Sequence, residues 1–281
     1  MQKFQGGGVA KIATWNVNSV RARLPNLLRW LGEAAPDVVL LQETKTVCDG
    51  FPRLEIESLG YHLATLGQKT YNGVAILSRE PLADVVRALP GDPDDGQARY
   101  IEALVGGTLR VASIYLPNGN PTDGESFPYK LRFLDRLRRR AGELLRREEP
   151  LVLGGDYNVC PTDDDVFAPG EWAGDALCRP ESRRGFRAIV HLGFTDALRA
   201  LHPEKGLYSF WDYQGGAWPR NHGLRIDHLL LSPQAADRLR DSGVDSAPRG
   251  WERPSDHAPV WCALADQVSP VPRTCATEGG R

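Results

Sequence analysis

An acid and an imidazole stand side by side near the end of the chain, in Pro254-Ser255-Asp256-His257, just before an apolar run. Four other apolar segments end in an amide or an acid, at Asn16, Glu43, Asp156 and Asp227. Carboxylate and amide oxygens suit a hard divalent cation, and an imidazole suits a phosphate oxygen. The pattern therefore predicts a site for metal-assisted cleavage of a phosphodiester.

Each of the first three positions also has a simpler explanation. Glu43 follows an apolar strand, from which it can reach a cleft, but it can equally be an edge carboxylate paired with Lys45. A single residue such as Asn16 after a strand is usually a turn former. Asp156 and Asn158 follow two glycines that permit close approach to a ligand, yet a Gly-Asp turn is common.

Asp227 lies in an apolar segment, where an acid is costly unless it is paired. His257 is a plausible partner, because a carboxylate fixes the orientation of an imidazole and leaves its other nitrogen free for a phosphate oxygen. The alternative is a structural pair of Asp227 with Arg225 or His228, and His228 is better explained as a packed strand residue. Tyr115, which ends another strand, is either a phosphate ligand or part of the core.

The three consecutive acids Asp163, Asp164 and Asp165 resemble a metal-binding loop only superficially. Their spacing matches no pattern of alternating ligands. They are interpreted mostly as a solvated turn.

Short apolar runs recur along the chain and predict strands, at Ile12 to Trp15, Val38 to Leu41, Val74 to Leu77, Tyr100 to Val105, Leu109 to Leu116, Leu151 to Leu153, Ile226 to Leu231 and Val260 to Leu264. Apolar residues at helical spacing predict three amphipathic helices, from Leu24 to Leu31, from about Pro128 to Arg147 and from Arg183 to Leu192. Strands and helices in irregular alternation favour an α/β fold with a two-layer sheet sandwich flanked by helices.

The chain has 281 residues, of which 41% are hydrophobic, and we interpret it as one large domain rather than two. That domain is expected at residues 11–266, after a short lead of residues 1–10. Residues 267–281 are rich in Pro, Ser, Thr and Gly and are expected to be disordered. With 34 basic and 36 acidic residues, overall charge does not direct the protein to an anionic polymer.

The five cysteines are scattered without a C-x-x-C pair, which favours free thiols in a reducing compartment. The first eight residues lack the apolar run of a signal peptide, and no segment approaches the roughly 20 apolar residues that span a bilayer. The protein is therefore expected to be soluble and intracellular (cytoplasmic), with no membrane partner.

Several short motifs, in order, carry a family resemblance from about Lys11 to Leu264: Trp15-Asn16-Val17-Asn18, Leu41-Gln42-Glu43-Thr44-Lys45, Gly73-Val74-Ala75, Tyr115-Leu116-Pro117-Asn118, Gly155-Asp156-Tyr157-Asn158, Trp211-Asp212-Tyr213, Leu224-Arg225-Ile226-Asp227 and Ser255-Asp256-His257-Ala258-Pro259-Val260. Each motif is weak alone, but the ordered set is specific. The chain resembles the exonuclease III family of DNA repair nucleases (exodeoxyribonuclease III and AP endonucleases), within the endonuclease/exonuclease/phosphatase superfamily that includes DNase I.

The resemblance implies a four-layer α/β sandwich and an enzyme that hydrolyses phosphodiester bonds of duplex DNA. It would cut 5' to abasic sites and remove nucleotides or blocking groups from 3' ends, with Mg2+ as cofactor and Mn2+ able to replace it. The implied metal group is Asn16, Asn18, Glu43, Asp156, Asn158, Asp256 and His257, with Glu43 the principal ligand. The implied catalytic group is Tyr115, Asp156, Asn158, Asp227 and His257, with Asp227 orienting His257.

The resemblance also implies DNA contacts by Arg21, Lys45, Tyr71, Asn72, Asn118 and Arg225. Phe210, Leu224 and Ile226 match the positions that form an apolar pocket for a base-free sugar, although ordinary core packing explains them equally well. Ser19 departs from the family by replacing a usual Gly. The segment 159–181 has only loose similarity, which leaves the balance of abasic-site incision and exonuclease activity open.

Two other functions remain possible from the sequence. The same fold can serve a phosphoesterase for phosphoinositides, phospholipids or nucleotides, or an inactive DNA-binding module. Because every expected ligand position is filled, the inactive module ranks low. The resemblance favours a monomer.

Overall fold

The computed structural model describes residues 9–265, which form twelve strands and seven helices. The strands are β1 Val9–Asn16, β2 Val38–Gln42, β3 His62–Leu66, β4 Val74–Ser78, β5 Leu82–Val86, β6 Tyr100–Val105, β7 Leu109–Tyr115, β8 Leu151–Asp156, β9 Thr195–Asp196, β10 Asp227–Leu231, β11 Leu239–Val244 and β12 Val260–Ala265. The helices are α1 Leu24–Ala34, α2 Arg53–Glu57, α3 Ser126–Leu145, α4 Pro169–Trp172, α5 Pro180–Val190, α6 Ala197–Leu201 and α7 Pro233–Ala236. The tail expected to be disordered lies outside the described residues, as does most of the N-terminal lead.

The strands form two mixed sheets of six strands each. The first has the order β11-β12-β1-β2-β4-β3, and the second has the order β5-β6-β7-β8-β10-β9. Each sheet contains one parallel pair, β1 with β2 and β7 with β8, and its other pairs are antiparallel. The predicted α/β class is therefore confirmed.

Alternating side chains divide the core into layers. In β2, Val38 and Leu40 pack between the two sheets, whereas Val39 and Leu41 pack on the opposite face with α1. The outer face of the second sheet packs against α3 and α5 through residues such as Phe133. Helix, sheet, sheet and helix thus form the four layers that the family resemblance implies.

The eight predicted strands are the eight inner strands of the two sheets. The strands that the sequence did not reveal, β3, β5, β9 and β11, are the four sheet edges. Most of their residues are half-buried or exposed, so their apolar pattern is weak. Polar residues are typical of edge strands, because an apolar open edge would pair with other chains.

The three predicted helices are α1, α3 and α5. Helix α1 begins at Leu24, next to Pro25, and ends at Ala34, and the following Ala35 has the left-handed conformation that closes many helices. Helix α3 begins at Ser126, two residues earlier than predicted, and α5 begins with Pro180 and ends at Val190. No helix within residues 9–265 is both long and apolar enough to cross a membrane.

Two glycines let β8 pass between close neighbours. A Cβ atom at Gly154 would lie 2.5 Å from Leu40 Cδ1 of the facing sheet. At Gly155 it would lie 1.9 Å from the carbonyl oxygen of Ile114 in the adjacent strand. Because a backbone carbonyl cannot rotate away, glycine at position 155 is required for the pairing that ends at Asp156.

We predict that Gly155→Ala lowers the free energy of unfolding by about 1–3 kcal/mol, the usual cost of overpacking a core. The control is Gly174→Ala, since a Cβ there meets nothing within 4 Å, and it should change stability by less than about 0.5 kcal/mol. Urea unfolding of both variants measures the difference. Equal stabilities would show that β7 and β8 can separate without cost.

Candidate active site

The two parallel strand pairs end at the same place. In the first sheet Asn16 ends β1 opposite Gln42 of β2, and Glu43 follows directly. In the second sheet Tyr115 of β7 lies opposite Asp156 of β8, which in turn lies opposite Asp227 of β10. The packed sheets thus bring residues from distant parts of the sequence to one edge of the molecule.

The amide of Asn16 joins the two sheets at this edge. Its Nδ2 atom donates to Glu43 Oε1 at 2.8 Å and to Asp156 Oδ2 at 2.9 Å. Its Oδ1 atom accepts from the backbone N–H of Asn18 at 3.0 Å. Asn16 is fully buried, so its side chain fixes the separation of the two carboxylates.

Glu43 is held charged by its neighbours. Burial alone would raise its pKa, but Lys45 and the Asn16 amide lower the pKa below its ordinary value. Lys45 Nζ lies 2.8 Å from Glu43 Oε2 and donates to Asn18 Oδ1 at 2.6 Å. The ion pair between Glu43 and Lys45, which was the simpler explanation of Glu43 from the sequence, is therefore present. Glu43 is also linked to Asp156 through the Asn16 amide.

A backbone hydrogen bond connects the turn that carries Asn18 to the turn at Glu43. The backbone N–H of Ser19 donates to the carbonyl of Glu43 at 2.7 Å. Ser19 has a φ of 88°, a conformation that glycine adopts readily and other residues rarely. This explains why a glycine is usual at the position.

Asp156 is buried and titrates far from its ordinary range. Burial raises its pKa to about 7, with Asp227 adding to the rise and His257 and Asn16 opposing it. Its Oδ1 atom accepts from the backbone N–H of Asn158 at 2.9 Å. A carboxylate with this pKa can accept or release a proton near neutral pH.

Asp227 is paired with His257 rather than with Arg225 or His228, the alternatives that the sequence left open. The Nδ1 atom of His257 lies 2.8 Å from Asp227 Oδ2, which also accepts from Ser209 Oγ at 2.6 Å. Burial alone would lower the pKa of His257, but Asp227 and Asp156 raise it to about 10. The ring is therefore an imidazolium at neutral pH, and its Nε2 atom lies 3.8 Å from Asp156 Oδ2.

Tyr115 and Asn158 complete the inner group. Burial, with Glu43 and Asp156 nearby, raises the pKa of Tyr115 well above its ordinary value, so the phenol keeps its proton. Asn158 Nδ2 donates to the carbonyl of Leu116, and its Oδ1 accepts from Asn118 Nδ2 at 3.2 Å. These groups are hydrogen-bond donors beside the carboxylates.

Glu43, Asp156 and His257 each offer one potential ligand atom within 4.8 Å of the others. The two carboxylates fit Mg2+, which prefers oxygen ligands. A protonated imidazole has no lone pair for a metal, so the charge on His257 favours binding to an anion. The donor set thus fits a divalent cation on the carboxylate side and a phosphate on the His257 side.

Asn18 and Asp256 lie at the rim of the site. Asn18 Nδ2 donates to Asp256 Oδ1 at 3.1 Å and to the Tyr213 hydroxyl at 3.3 Å, and that hydroxyl also accepts from Arg23 Nη2 at 2.9 Å. The sequence prediction assigned no role to Arg23 or Ser209. Neither belongs to a recognisable motif, and only the folded chain brings them to the site.

The predicted DNA contacts differ in accessibility. Asn118, Tyr71 and Arg21 are exposed, Tyr71 by 68%, and Lys45 is half-buried. Asn72 is buried, and its side-chain amide donates to Gln68 and Gln97. Asn72 therefore supports the loop that presents Tyr71.

The three predicted pocket residues pack together. Leu224 and Ile226 are almost fully buried in a cluster with Val166 and Cys178, which agrees with the core-packing explanation. Phe210 is half-buried at its edge, with its ring centroid 5.0 Å from that of His257. Phe210 is thus the member of this group that borders the site.

Arg225 is a correction to the predicted DNA contacts. Its side chain is 1% exposed and forms ion pairs of 2.7 Å with both Asp165 and Asp196. The predicted solvated turn is also wrong for Asp165, which is fully buried and bonded by Arg225 and Arg199. A run of acids gives no hint of which member faces a buried arginine, so sequence reasoning missed this network.

The chain is similar to known proteins over most of its length. The family model described as the endonuclease/exonuclease/phosphatase family matches residues 13–257. Exodeoxyribonuclease III of Haemophilus influenzae is 35% identical over 262 residues, which cover 89% of this chain and 98% of the relative. An AP endonuclease structure from Archaeoglobus fulgidus is 39% identical with a TM-score of 0.88, covering 92% of this chain and 100% of the other.

A third similar protein is a 3' phosphatase from Neisseria, whose structure contains a product DNA hairpin. It is 43% identical with a TM-score of 0.89, and the alignment covers 92% of this chain and 100% of the other. The chain belongs to the endonuclease/exonuclease/phosphatase family. Within that family it groups with exodeoxyribonuclease III and is a phosphodiester hydrolase, which confirms the resemblance drawn from the sequence.

We predict that Arg225→Met lowers the free energy of unfolding by about 3–5 kcal/mol, because it leaves two buried carboxylates without their cation. The control is Arg53→Met, which breaks an exposed pair with Glu57 and should cost less than about 1 kcal/mol. Denaturant unfolding measures both. A cost for Arg225→Met as small as that of the control would restore Arg225 as a candidate for DNA contact.

Proposed function

We propose that the chain is a Mg2+-dependent DNA repair nuclease that cuts duplex DNA 5' to abasic sites and removes nucleotides or blocking groups from 3' ends. The observation that carries this proposal is the fully buried amide of Asn16, which holds Glu43 and Asp156 together beside the Asp227–His257 pair. DNA as substrate is supported by the relatives, which are named as DNA nucleases or contain a DNA hairpin.

In this proposal the carboxylate of Glu43 is the principal metal ligand, with Asn16 and Asp156 beside it. Asn18 and Asp256 at the rim, and Mn2+ as a substitute ion, belong to the same proposal. A bound divalent ion would supply positive charge to the phosphate and to the departing oxygen. Asn158 and His257 are better suited to the phosphate, since the Asn158 oxygen already accepts a hydrogen bond and His257 is charged.

The protein groups then have distinct tasks. The Tyr115 hydroxyl, the Asn158 amide and the His257 imidazolium donate hydrogen bonds to phosphate oxygens as negative charge grows. Asp227 keeps the imidazole oriented and charged. Asp156, with a pKa of about 7, accepts a proton from the attacking water.

Specificity for abasic sites would come from an apolar wall beside His257 and from polar groups on the surrounding surface. Phe210, at the edge of the apolar cluster and next to His257, provides a wall against which a base-free sugar can lie. Tyr71, Arg21, Lys45 and Asn118 provide surface groups for phosphates on either side, and such contacts position DNA without reading its sequence. We propose that the enzyme acts as a monomer.

The first experiment compares two labelled duplexes, one with an internal abasic analogue and one with a recessed 3' end, in Mg2+ and in EDTA. We expect Mg2+-dependent incision 5' to the abasic analogue together with trimming of the 3' end. Trimming without incision would contradict the abasic-site specificity and leave a 3'-processing exonuclease. Inertness toward both duplexes would contradict DNA as the substrate.

We predict that His257→Gln lowers kcat on the abasic duplex by about 10²- to 10³-fold, because it removes a charged donor to the phosphate. Glu33→Ala, on the exposed face of α1, is the matched control and should retain the wild-type kcat. Single-turnover kinetics measures the change. A His257→Gln enzyme within threefold of wild type would remove this residue from the site.

We also predict that Glu43→Ala weakens Mn2+ binding at least about tenfold, since a carboxylate is a strong ligand for a hard cation. Isothermal titration calorimetry of Mn2+ into DNA-free protein measures the dissociation constant without any need for turnover. The Glu33→Ala variant again serves as control. Unchanged Mn2+ affinity in Glu43→Ala would place the ion elsewhere.

A further inference from the structure

Lys130 is a charged residue in the interior of the protein. It lies in the first turns of α3, and its side chain is 0% exposed. Within residues 9–265 it forms no ion pair with a carboxylate. Burying a cation without a counter-ion is costly, and burial lowers the pKa of Lys130 to about 7. A methionine would fill the same space without that cost, so simple packing does not explain a lysine here.

The ammonium group has three hydrogen-bond acceptors, and all are backbone carbonyls. Lys130 Nζ donates to the carbonyl of Asn118 at 2.9 Å, of Asn158 at 2.6 Å and of Ala176 at 3.1 Å. Only the protonated form of lysine has three N–H donors, one for each carbonyl, so this set of acceptors favours the ammonium over the neutral amine. One side chain thus connects three separate loops.

Two of these loops carry active-site residues. The first follows Tyr115 at the end of β7 and includes Asn118, and the second follows Asp156 at the end of β8 and includes Asn158. Their side chains meet where Asn118 Nδ2 donates to Asn158 Oδ1 at 3.2 Å. Lys130 binds the backbone carbonyls of the same two residues.

The backbone also makes room for the lysine. Gly119 has a φ of 91°, and a Cβ atom there would lie 2.6 Å from Lys130 Cδ. A side chain at position 119 would therefore displace the stem that carries the ammonium. The loop and the lysine therefore fit each other in shape as well as through the hydrogen bonds.

We propose that Lys130 is a positioning residue for phosphodiester hydrolysis, and that its ammonium holds the Asn118 and Asn158 backbones at the separation the scissile phosphate requires. It acts through the loops and touches no reacting atom. The inference rests on the proposed function of the site, because the phosphate is what the two loops would bind. Displacements of about 1 Å in such groups can cost on the order of 10²-fold in rate.

The test uses Lys130→Met in the full-length protein, with Leu144→Ala as a matched control. Leu144 is also buried in α3, at its far end, so its loss weakens the helix packing without touching the loops. We expect Lys130→Met to lower kcat on the abasic duplex about 10- to 100-fold at an equal folded fraction, with KM within threefold of wild type. Leu144→Ala should lower the melting temperature and keep kcat and KM.

A kcat for Lys130→Met within threefold of wild type would overturn the proposal, since lysine would then serve stability alone. Loss of Mn2+ affinity by more than tenfold in DNA-free Lys130→Met would also overturn it, because the lysine would then support the metal ligands. If Lys130→Met does not fold, Lys130→Gln replaces it. The amide keeps two donors, and we expect a kcat reduced at least fivefold. Wild-type kinetics in Lys130→Gln would refute the proposal.

Different measurements test the proposed function and the role of Lys130. Inactivity of the wild-type protein toward both duplexes, or full activity of Glu43→Ala, refutes the function or its site. The Lys130 result is judged only as a ratio to wild-type turnover on the same duplex.

Discussion

The buried amide of Asn16 is the interaction on which the site depends. It donates to Glu43, which directly follows β2 of one sheet, and to Asp156, which ends β8 of the other. Two carboxylates at this separation repel each other, and an amide with two N–H donors offsets that repulsion without neutralising either group. Both acids remain available, one held charged by Lys45 and the other with a pKa raised toward neutrality by burial.

The sheet topology explains how the amide reaches both acids. Each sheet has one parallel pair, and the carboxyl ends of β1, β2, β7 and β8 come together where the sheets pack. The neighbouring antiparallel strand β10 begins at the same edge and delivers Asp227 next to Asp156. The glycines of β8 allow this approach, because any side chain at position 155 would meet the carbonyl of Ile114.

Two buried cations, Arg225 and Lys130, stabilise segments around the site but are not part of it. Arg225 binds Asp165 and Asp196 behind the apolar cluster that Phe210 borders, and Lys130 joins the loops after β7 and β8 through their carbonyls. Both side chains sit in the interior, where a charge is stable only with a full set of partners. The consequence is that loops rich in polar groups are held in one arrangement around the inner acids.

The sequence by itself determined the eight inner strands, the three main helices and the membership of Asn16, Glu43, Asp156 and His257 in one site. Apolar periodicity reveals an element when one face is buried, and the ordered motifs are specific as a set. The four edge strands escaped because an open edge favours polar residues, which leave no pattern. The partner of Asp227 could not be chosen among His257, Arg225 and His228 from the sequence, because each of these residues can pair with a buried acid.

Only the tertiary structure decided between such choices. It assigned Asp227 to His257, removed Arg225 from the DNA surface by pairing it with Asp165, and placed Lys130 under the active-site loops. These contacts join residues far apart in the chain. The sequence pattern of a helix also does not show whether a charged residue such as Lys130 faces solvent or backbone carbonyls. Burial and distance are properties of the packed molecule, so the physical role of each buried charge is set there.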